Sequence, residues 1–151
     1  MKIYIAADHA GFHLKKKLID YFTLCGIPFE DVGAKTYVPK DDYPPYALGV
    51  ANKVGKTPGS RGVLICGSGT GTVIAANKIK GVRAIFGYSD YGAKMARIDN
   101  DANVITFAGR KQTAKEVTKM VNIFLTTKFP AISRHVKRVA EIAEHEAEVF
   151  K

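Results

Sequence analysis

The chain has 151 residues, 46% of them apolar and 25% charged, a globular composition that excludes intrinsic disorder and suits a single domain spanning 1–151. No apolar run approaches the roughly 18 residues of a membrane span, and Asp8 and His9 cut the opening apolar stretch too early for a signal-peptide core. The surplus of 23 Lys and Arg over 14 Asp and Glu gives a net charge of +9. Such a surplus invites nucleic acid, yet there is no RNP-type aromatic motif, zinc finger or Arg-rich tail, so neither nucleic acid nor a membrane is an expected partner. A small anionic substrate fits the charge equally well. The two cysteines, Cys25 and Cys66, form no CxxC pair, which suits a reducing compartment and a cytoplasmic location.

The pattern alternates strand and helix from end to end. Residues 2–7 are short, apolar and β-branched, which predicts a strand. Residues 11–25 carry Leu14, Leu18, Phe22 and Cys25 at helical spacing, and Lys15-Lys16-Lys17 reads there as a solvated outer face. Gly26 supplies the stop, and 28–32 forms a second, shorter strand. Turn formers fill 34–45, ending in Asp41-Asp42-Tyr43-Pro44-Pro45, and predict a loop before a helix over 46–56. A strand over 62–66 enters a glycine-rich turn, followed by a helix over 72–78, a strand over 82–88, a helix over 90–98 and a strand over 104–108. Thr113 and Glu116 have the spacing of a capping box, ahead of an apolar stripe of Val117, Met120, Val121, Phe124 and Leu125. The last helix, 133–150, carries Val136, Val139, Ala140, Ala143 and Ala147, a stripe small enough to pack closely on another helix, including one of a second subunit.

Five strands separated by helices imply an α/β fold with a parallel sheet covered on both faces. Ligands of such sheets bind beyond the carboxyl ends of the strands, which directs attention to Asp8 and His9, the turn after Cys66, and residues 88–90 and 108–110. The glycines Gly67, Gly69 and Gly71 alternate with Ser68 and Thr70 between a strand and a helix start, an arrangement that leaves backbone N–H groups open to an anion. It is neither a dinucleotide fingerprint nor a P-loop, since Thr72 stands where the third glycine of G-x-G-x-x-G belongs and no Lys-Ser or Lys-Thr closes the turn. Cys66 at the lip of this loop reads either as a small core residue or as a thiolate base beside a row of donors. A base so placed suits proton abstraction from a carbon next to a carbonyl, with the amides holding the enediolate oxygen. Asp8 and His9 read as a structural turn or as groups for sugar hydroxyls, a proton and a phosphate. Arg134 and Arg138 are four apart and share a helix face, either as a solvated basic turn or as a pair of forks on one phosphate. The four histidines are scattered and do not make a metal site.

Taken together and in order, Ala7-Asp8-His9-Ala10-Gly11-Phe12, Asp42-Tyr43-Pro44, the 65–71 loop, Ile74-Ala75-Ala76-Asn77-Lys78, Asn100-Asp101-Ala102-Asn103-Val104 and Arg134-His135-Val136-Lys137-Arg138 resemble the type B ribose-5-phosphate isomerases and the related galactose-6-phosphate isomerase subunits. The resemblance covers nearly the whole chain. It implies a Rossmann-like three-layer α/β/α domain with a five-stranded parallel sheet, acting as a homodimer or homotetramer with active sites shared between subunits. It further implies interconversion of aldose and ketose phosphates through an enediolate, with no metal and no organic cofactor. Cys66 matches the family's base and 67–71 its anion hole, with Ser68 where many members carry Thr. The branch that uses Glu instead of Cys places it at the position of Thr72, so the chain falls in the Cys branch. His9, Arg134 and Arg138 match the phosphate binders, with Arg110 a further candidate, and Tyr43 and Asn100 match residues lining the sugar site.

One departure stands out. The family's usual His before Asn100, which helps open the sugar ring, is here Asp99. An ordinary Asp has a pKa of about 3.9 against about 6.5 for His, so at neutral pH it accepts a proton more readily than it gives one. Either Asp99 acts as a base on the anomeric hydroxyl, or Asp8 takes over, or the substrate needs no ring opening, or the chain pairs with a different subunit. Ribose 5-phosphate is the first expectation for the substrate, with galactose, allose and tetrose phosphates as alternatives. A non-catalytic sugar-phosphate or nucleotide-binding domain would keep the glycine loop and the basic residues without needing Cys66.

Overall fold

The computed structural model describes residues 1–150. Strands β1 (Ile3–Ala7), β2 (Phe29–Asp31), β3 (Arg61–Cys66), β4 (Ala84–Phe86) and β5 (Val104–Ala108) form one sheet in the order β2-β1-β3-β5-β4, every pairing parallel. Helices α1 (Phe12–Leu24), α2 (Tyr43–Lys56), α3 (Thr70–Ala76), α4 (Asp90–Asn100), α5 (Ala114–Thr126) and α6 (Ser133–Val149) complete the described residues. The three-layer architecture follows from the strands' own alternation. On one face Ile3, Ile5, Val63, Ile65, Ile105 and Phe107 meet Leu18 and Phe22 of α1, Ala93 of α4, and Val117, Val121 and Phe124 of α5. On the other, Tyr4, Ala6, Leu64 and Val104 meet Val50 and Val54 of α2 and Ala76 of α3.

Strand order reverses between β1 and β3: the chain leaves β1 toward β2 on one side and returns to build β3 on the other. The carboxyl ends of these two neighbours flank the crevice where open α/β sheets take their ligands. Ala7 pairs with Ile65, which brings Asp8 and Cys66 to the same edge.

Three expectations need correction. Helix α2 starts at Tyr43, not 46, because Pro44 and Pro45 occupy its first turn, where a missing N–H goes unmissed. Strand β4 spans three residues, not seven, since it pairs only with β5. Lys15 is not on a solvated face: it is 1% exposed, and its ammonium donates to both oxygens of Asp31 (3.0 and 2.9 Å) and to the Ala34 carbonyl (2.6 Å). The capping box forms as read: the Thr113 hydroxyl accepts from the Glu116 N–H at 3.3 Å, and the Glu116 carboxylate accepts from the Thr113 N–H at 2.7 Å.

Helix α6 takes an unusual path along the amino-terminal edge of the sheet. His135 in its first turn is buried beside Asp99 at the end of α4, and Glu146 accepts from the Gly81 N–H ahead of β4 (3.0 Å). Val136, Ile142 and Val149 are left exposed along it, 43%, 48% and 60% respectively. No helix of the described residues is long and apolar enough to cross a membrane.

Candidate active site

The site is assembled from the ends of β1, β3 and β5. After β1 the chain turns on Asp8, whose carboxylate accepts from the N–H groups of Ala10 (2.9 Å) and Gly11 (3.1 Å). Burial pushes the Asp8 carboxyl above its ordinary value, against the lowering pull of those two N–H groups and of His9. After β3, Cys66 is buried and the Gly69 N–H donates to its sulfur at 3.1 Å. The Thr72 hydroxyl lies 3.6 Å from the same sulfur and 2.9 Å from the Gly69 carbonyl. That carbonyl already receives the Thr106 hydroxyl at 2.9 Å, so the single Thr72 proton can turn to the sulfur.

Gly69 has φ +80, and a Cβ there would strike the Phe86 ring at 2.4 Å, so the turn requires glycine. Its two neighbours in the run serve as seats for side chains. A Cβ on Gly71 would meet the Tyr43 ring at 2.6 Å, and one on Gly67 the Arg110 guanidinium at 2.8 Å. Tyr43 and Arg110 therefore lie directly on the glycine loop. At the tip, the Ser68 and Thr70 hydroxyls are bonded at 2.8 Å and exposed. The first N–H groups of α3, at 70–72, have no carbonyl of a preceding turn to bind and are open to an acceptor.

A cleft of about 440 Å³ is lined by Asp8, Tyr43, Cys66, Arg110 and Ile74, together with Gly67, Ser68, Thr70 and Gly71 of the loop. His9 stands next to it, its ring turned to Asp41. The remaining residues singled out from the sequence lie elsewhere. Asp99 and Asn100 end α4, whose far terminus is tied by Arg83 to the amino-terminal edge of the sheet: the Arg83 guanidinium donates to the Asn100 carbonyl at 2.9 Å. Asp99 Oδ1 lies 3.6 Å from His135 Nε2. Arg134 and Arg138 occupy the first turns of α6 at that same edge, both exposed. Strand lengths of five or six residues put the two groups roughly 15–20 Å apart within one chain.

Sequence reasoning missed three residues of this neighbourhood. Thr72 follows from the helical turn that returns it to Cys66, Lys15 from its register with Leu18, and Asp41 from no local pattern.

A cleft at the switch point of a doubly covered parallel sheet, lined by Asp8, a buried cysteine and a glycine loop, is the arrangement of a Rossmann-like enzyme domain. The sequence profile of the family described as Ribose/Galactose Isomerase matches residues 3–142, and the chain belongs to that family. A protein of Mycobacterium tuberculosis named ribose-5-phosphate isomerase B is 38% identical over 146 residues, covering 97% of this chain and 90% of that protein. A probable ribose-5-phosphate isomerase B of Mycoplasma pneumoniae is 40% identical, covering 97% and 95%. The crystal structure of ribose-5-phosphate isomerase B from Mycoplasma genitalium with bound ribulose-5-phosphate superposes with a TM-score of 0.93 at 38% identity, over 98% of this chain and 97% of that one. The chain thus shares the fold of an aldose–ketose isomerase over 98% of its length.

Proposed function

We propose that the protein interconverts ribose 5-phosphate and ribulose 5-phosphate through an enediolate, with Cys66 as the base. The observation that carries this reading is the sulfur: buried at the head of the cleft, accepting from the Gly69 N–H at 3.1 Å, with the loop's remaining donors beside it. On the open-chain aldose, the Cys66 sulfur takes the proton from C2, the C2–H electron pair forms the C1=C2 bond, and charge moves to the C1 oxygen. The remaining amides of the 67–71 loop and the Ser68 hydroxyl hold that oxygen. The proton returns from sulfur to C1, and the O2 proton moves to O1 through Asp8 or the loop hydroxyls, leaving the ketose. Asp8 also faces the sugar hydroxyls. Tyr43 flanks the sugar, and His9 and Arg110 hold the phosphate end.

The separation of Asp99, Asn100, Arg134 and Arg138 from this cleft supports a homodimer in which each site takes those four residues from the second copy. The apolar residues left exposed along α6 support the same assembly. In that arrangement Asp99 accepts the anomeric hydroxyl's proton as the bond from C1 to the ring oxygen breaks, the ring oxygen takes a proton from water, and the two arginines fork the phosphate. Both cysteines are free, which supports work in the cytoplasm.

The test is isomerisation of ribose, allose, galactose and erythrose phosphates, with solvent deuterium followed into C1 and C2 by NMR. Turnover of ribose 5-phosphate with deuterium incorporation is the expected result. No turnover of any of the four would overturn the reading. Turnover confined to the four-carbon sugar would move the substrate to one that needs no ring opening and assign Asp99 no part in it.

A further inference from the structure

The ring of His9 is held on one side only. Its Nδ1 lies 3.0 Å from Asp41 Oδ1 and 3.2 Å from the Asp41 carbonyl, and its backbone N–H donates to the same Oδ1 at 2.6 Å. Both groups facing Nδ1 are acceptors, so Nδ1 carries the proton and Nε2 is turned away from Asp41. Asp41 is well suited to this. Burial alone would raise its carboxyl, but the His9 N–H, the Tyr46 hydroxyl and the His9 ring outweigh that and hold it below the ordinary carboxylate range. Its side chain is 10% exposed, so the bonds are made largely out of water.

The mount is also built. Asp41 sits 32 positions from His9, in the segment between β2 and α2. That segment is fixed at its start by the buried Lys15 on Asp31 and Ala34, and in its middle by Tyr37, stacked on His13 at 5.8 Å and edge-on to Phe12 at 5.9 Å. All three anchors lie on α1, the helix that follows His9. The segment and the histidine are thereby referred to one rigid element.

We infer that Asp41 is a positioning residue that holds the His9 ring by its Nδ1–H and leaves Nε2, on the side away from Asp41, as the ring atom that meets the substrate's phosphate. The inference rests on the phosphate-binding reading of His9 proposed above. Asp41 touches no substrate atom in this arrangement and acts through His9 alone.

The experiment compares wild type, Asp41→Ala, Asp41→Asn, His9→Ala and the His9→Ala/Asp41→Ala double variant, each checked for folding by circular dichroism. Three quantities are read: the ¹⁵N shifts of the His9 ring in its neutral form, the affinity for inorganic phosphate and for ribose 5-phosphate, and KM against kcat. The expected result is a wild-type ring protonated on Nδ1 that moves to Nε2 in Asp41→Ala. KM and the phosphate dissociation constant should then rise about tenfold, the size of one charge-assisted contact, with kcat within about threefold. Asp41→Asn keeps an acceptor at Oδ1 and should restore the tautomer and most of the affinity. On the His9→Ala background, Asp41→Ala should add nothing. A ring that keeps its Nδ1 proton in Asp41→Ala, or an equal loss of affinity on the His9→Ala background, would overturn the inference while leaving the phosphate reading intact. His9→Ala binding phosphate as tightly as wild type would overturn that reading, and the inference with it. The tautomer and affinity arms need no turnover, so they decide the matter even for a chain that isomerises none of the sugars tried.

Discussion

Replacing Lys15 by Met measures what a buried cation contributes to this fold. The ammonium is 1% exposed and its partner Asp31 13%, so both charges are largely out of water. Removing one member of such a pair costs about 3–5 kcal/mol, because the other charge stays buried and uncompensated. Two features reduce the cost here. Asp31 keeps the Gly33 N–H at 3.0 Å and Lys35 at 3.3 Å, and Met fills most of the volume of the buried aliphatic stem. One feature adds to it: the Ala34 carbonyl loses its donor at 2.6 Å, a loss of about 1 kcal/mol or more. The expected net loss is about 2–4 kcal/mol. At about 2–4 °C per kcal/mol for a chain of this size, Tm should fall by roughly 5–15 °C. Thermal unfolding by circular dichroism, with urea titration for the free energy, reads this directly. Asp31→Asn should destabilise the Lys15→Met chain less than it destabilises the wild type, since the orphaned charge is then gone. A Tm within about 2 °C of wild type, or strictly additive losses in the double variant, would refute the burial argument.

Three further outcomes are expected. Cys66→Ala should fold and bind sugar phosphate but lose about 10²–10⁴-fold in kcat, with deuterium exchange at C1 and C2 lost in step; substantial activity in the folded variant would remove the sulfur from the mechanism. Arg134→Ala and Arg138→Ala should each weaken binding of ribose 5-phosphate by about 10- to 150-fold, from roughly 1.5–3 kcal/mol per charge-assisted contact, and leave an unphosphorylated sugar untouched in the same titration; equal losses for both sugars would place the arginines in folding or assembly. Asp8→Asn should melt higher than wild type at neutral pH. The folded chain raises the Asp8 pKa above 3.8 by burial, so it holds that proton more readily than the unfolded chain, and stability falls as pH rises through the folded value. Melting curves at pH 3 and pH 7 should show the gap narrowing at the lower pH, and a gap independent of pH would contradict the assignment.

Periodicity carried most of the fold, because the strands alternate across two buried faces and the helices present single stripes. The start of α2 was hidden by its prolines, which mark a turn and a first helical turn equally well. Lys15 was within reach: it lies three residues before Leu18 and seven before Phe22, hence on the inner face of α1. Reading 15–17 as one block of charge conceals that register. Asp41 was beyond reach, since a bond across 32 positions in a loop leaves no local signature. The cleft residues Asp8, Cys66 and Arg110 were legible because each lies at or within two residues of a strand's carboxyl end. The remoteness of Arg134 from them was not, since it depends on the path of α6 along the opposite edge, which no local pattern encodes; that of Asp99 was within reach, because a helix joining two parallel strands ends at the amino-terminal edge of the sheet.

The unequal setting of the two sulfurs makes them chemically separable. Cys25 ends α1 and is exposed, whereas Cys66 is 3% exposed behind the glycine loop. A bulky maleimide has a free path to the first and must force the cleft to reach the second. A fluorophore or spin label can thus be installed at a single native position with the cleft untouched, and a small alkylating reagent, admitted by the cleft, becomes a titrant of Cys66. Occupancy of the cleft by a sugar phosphate should then be readable as protection of one thiol against the steady reactivity of the other.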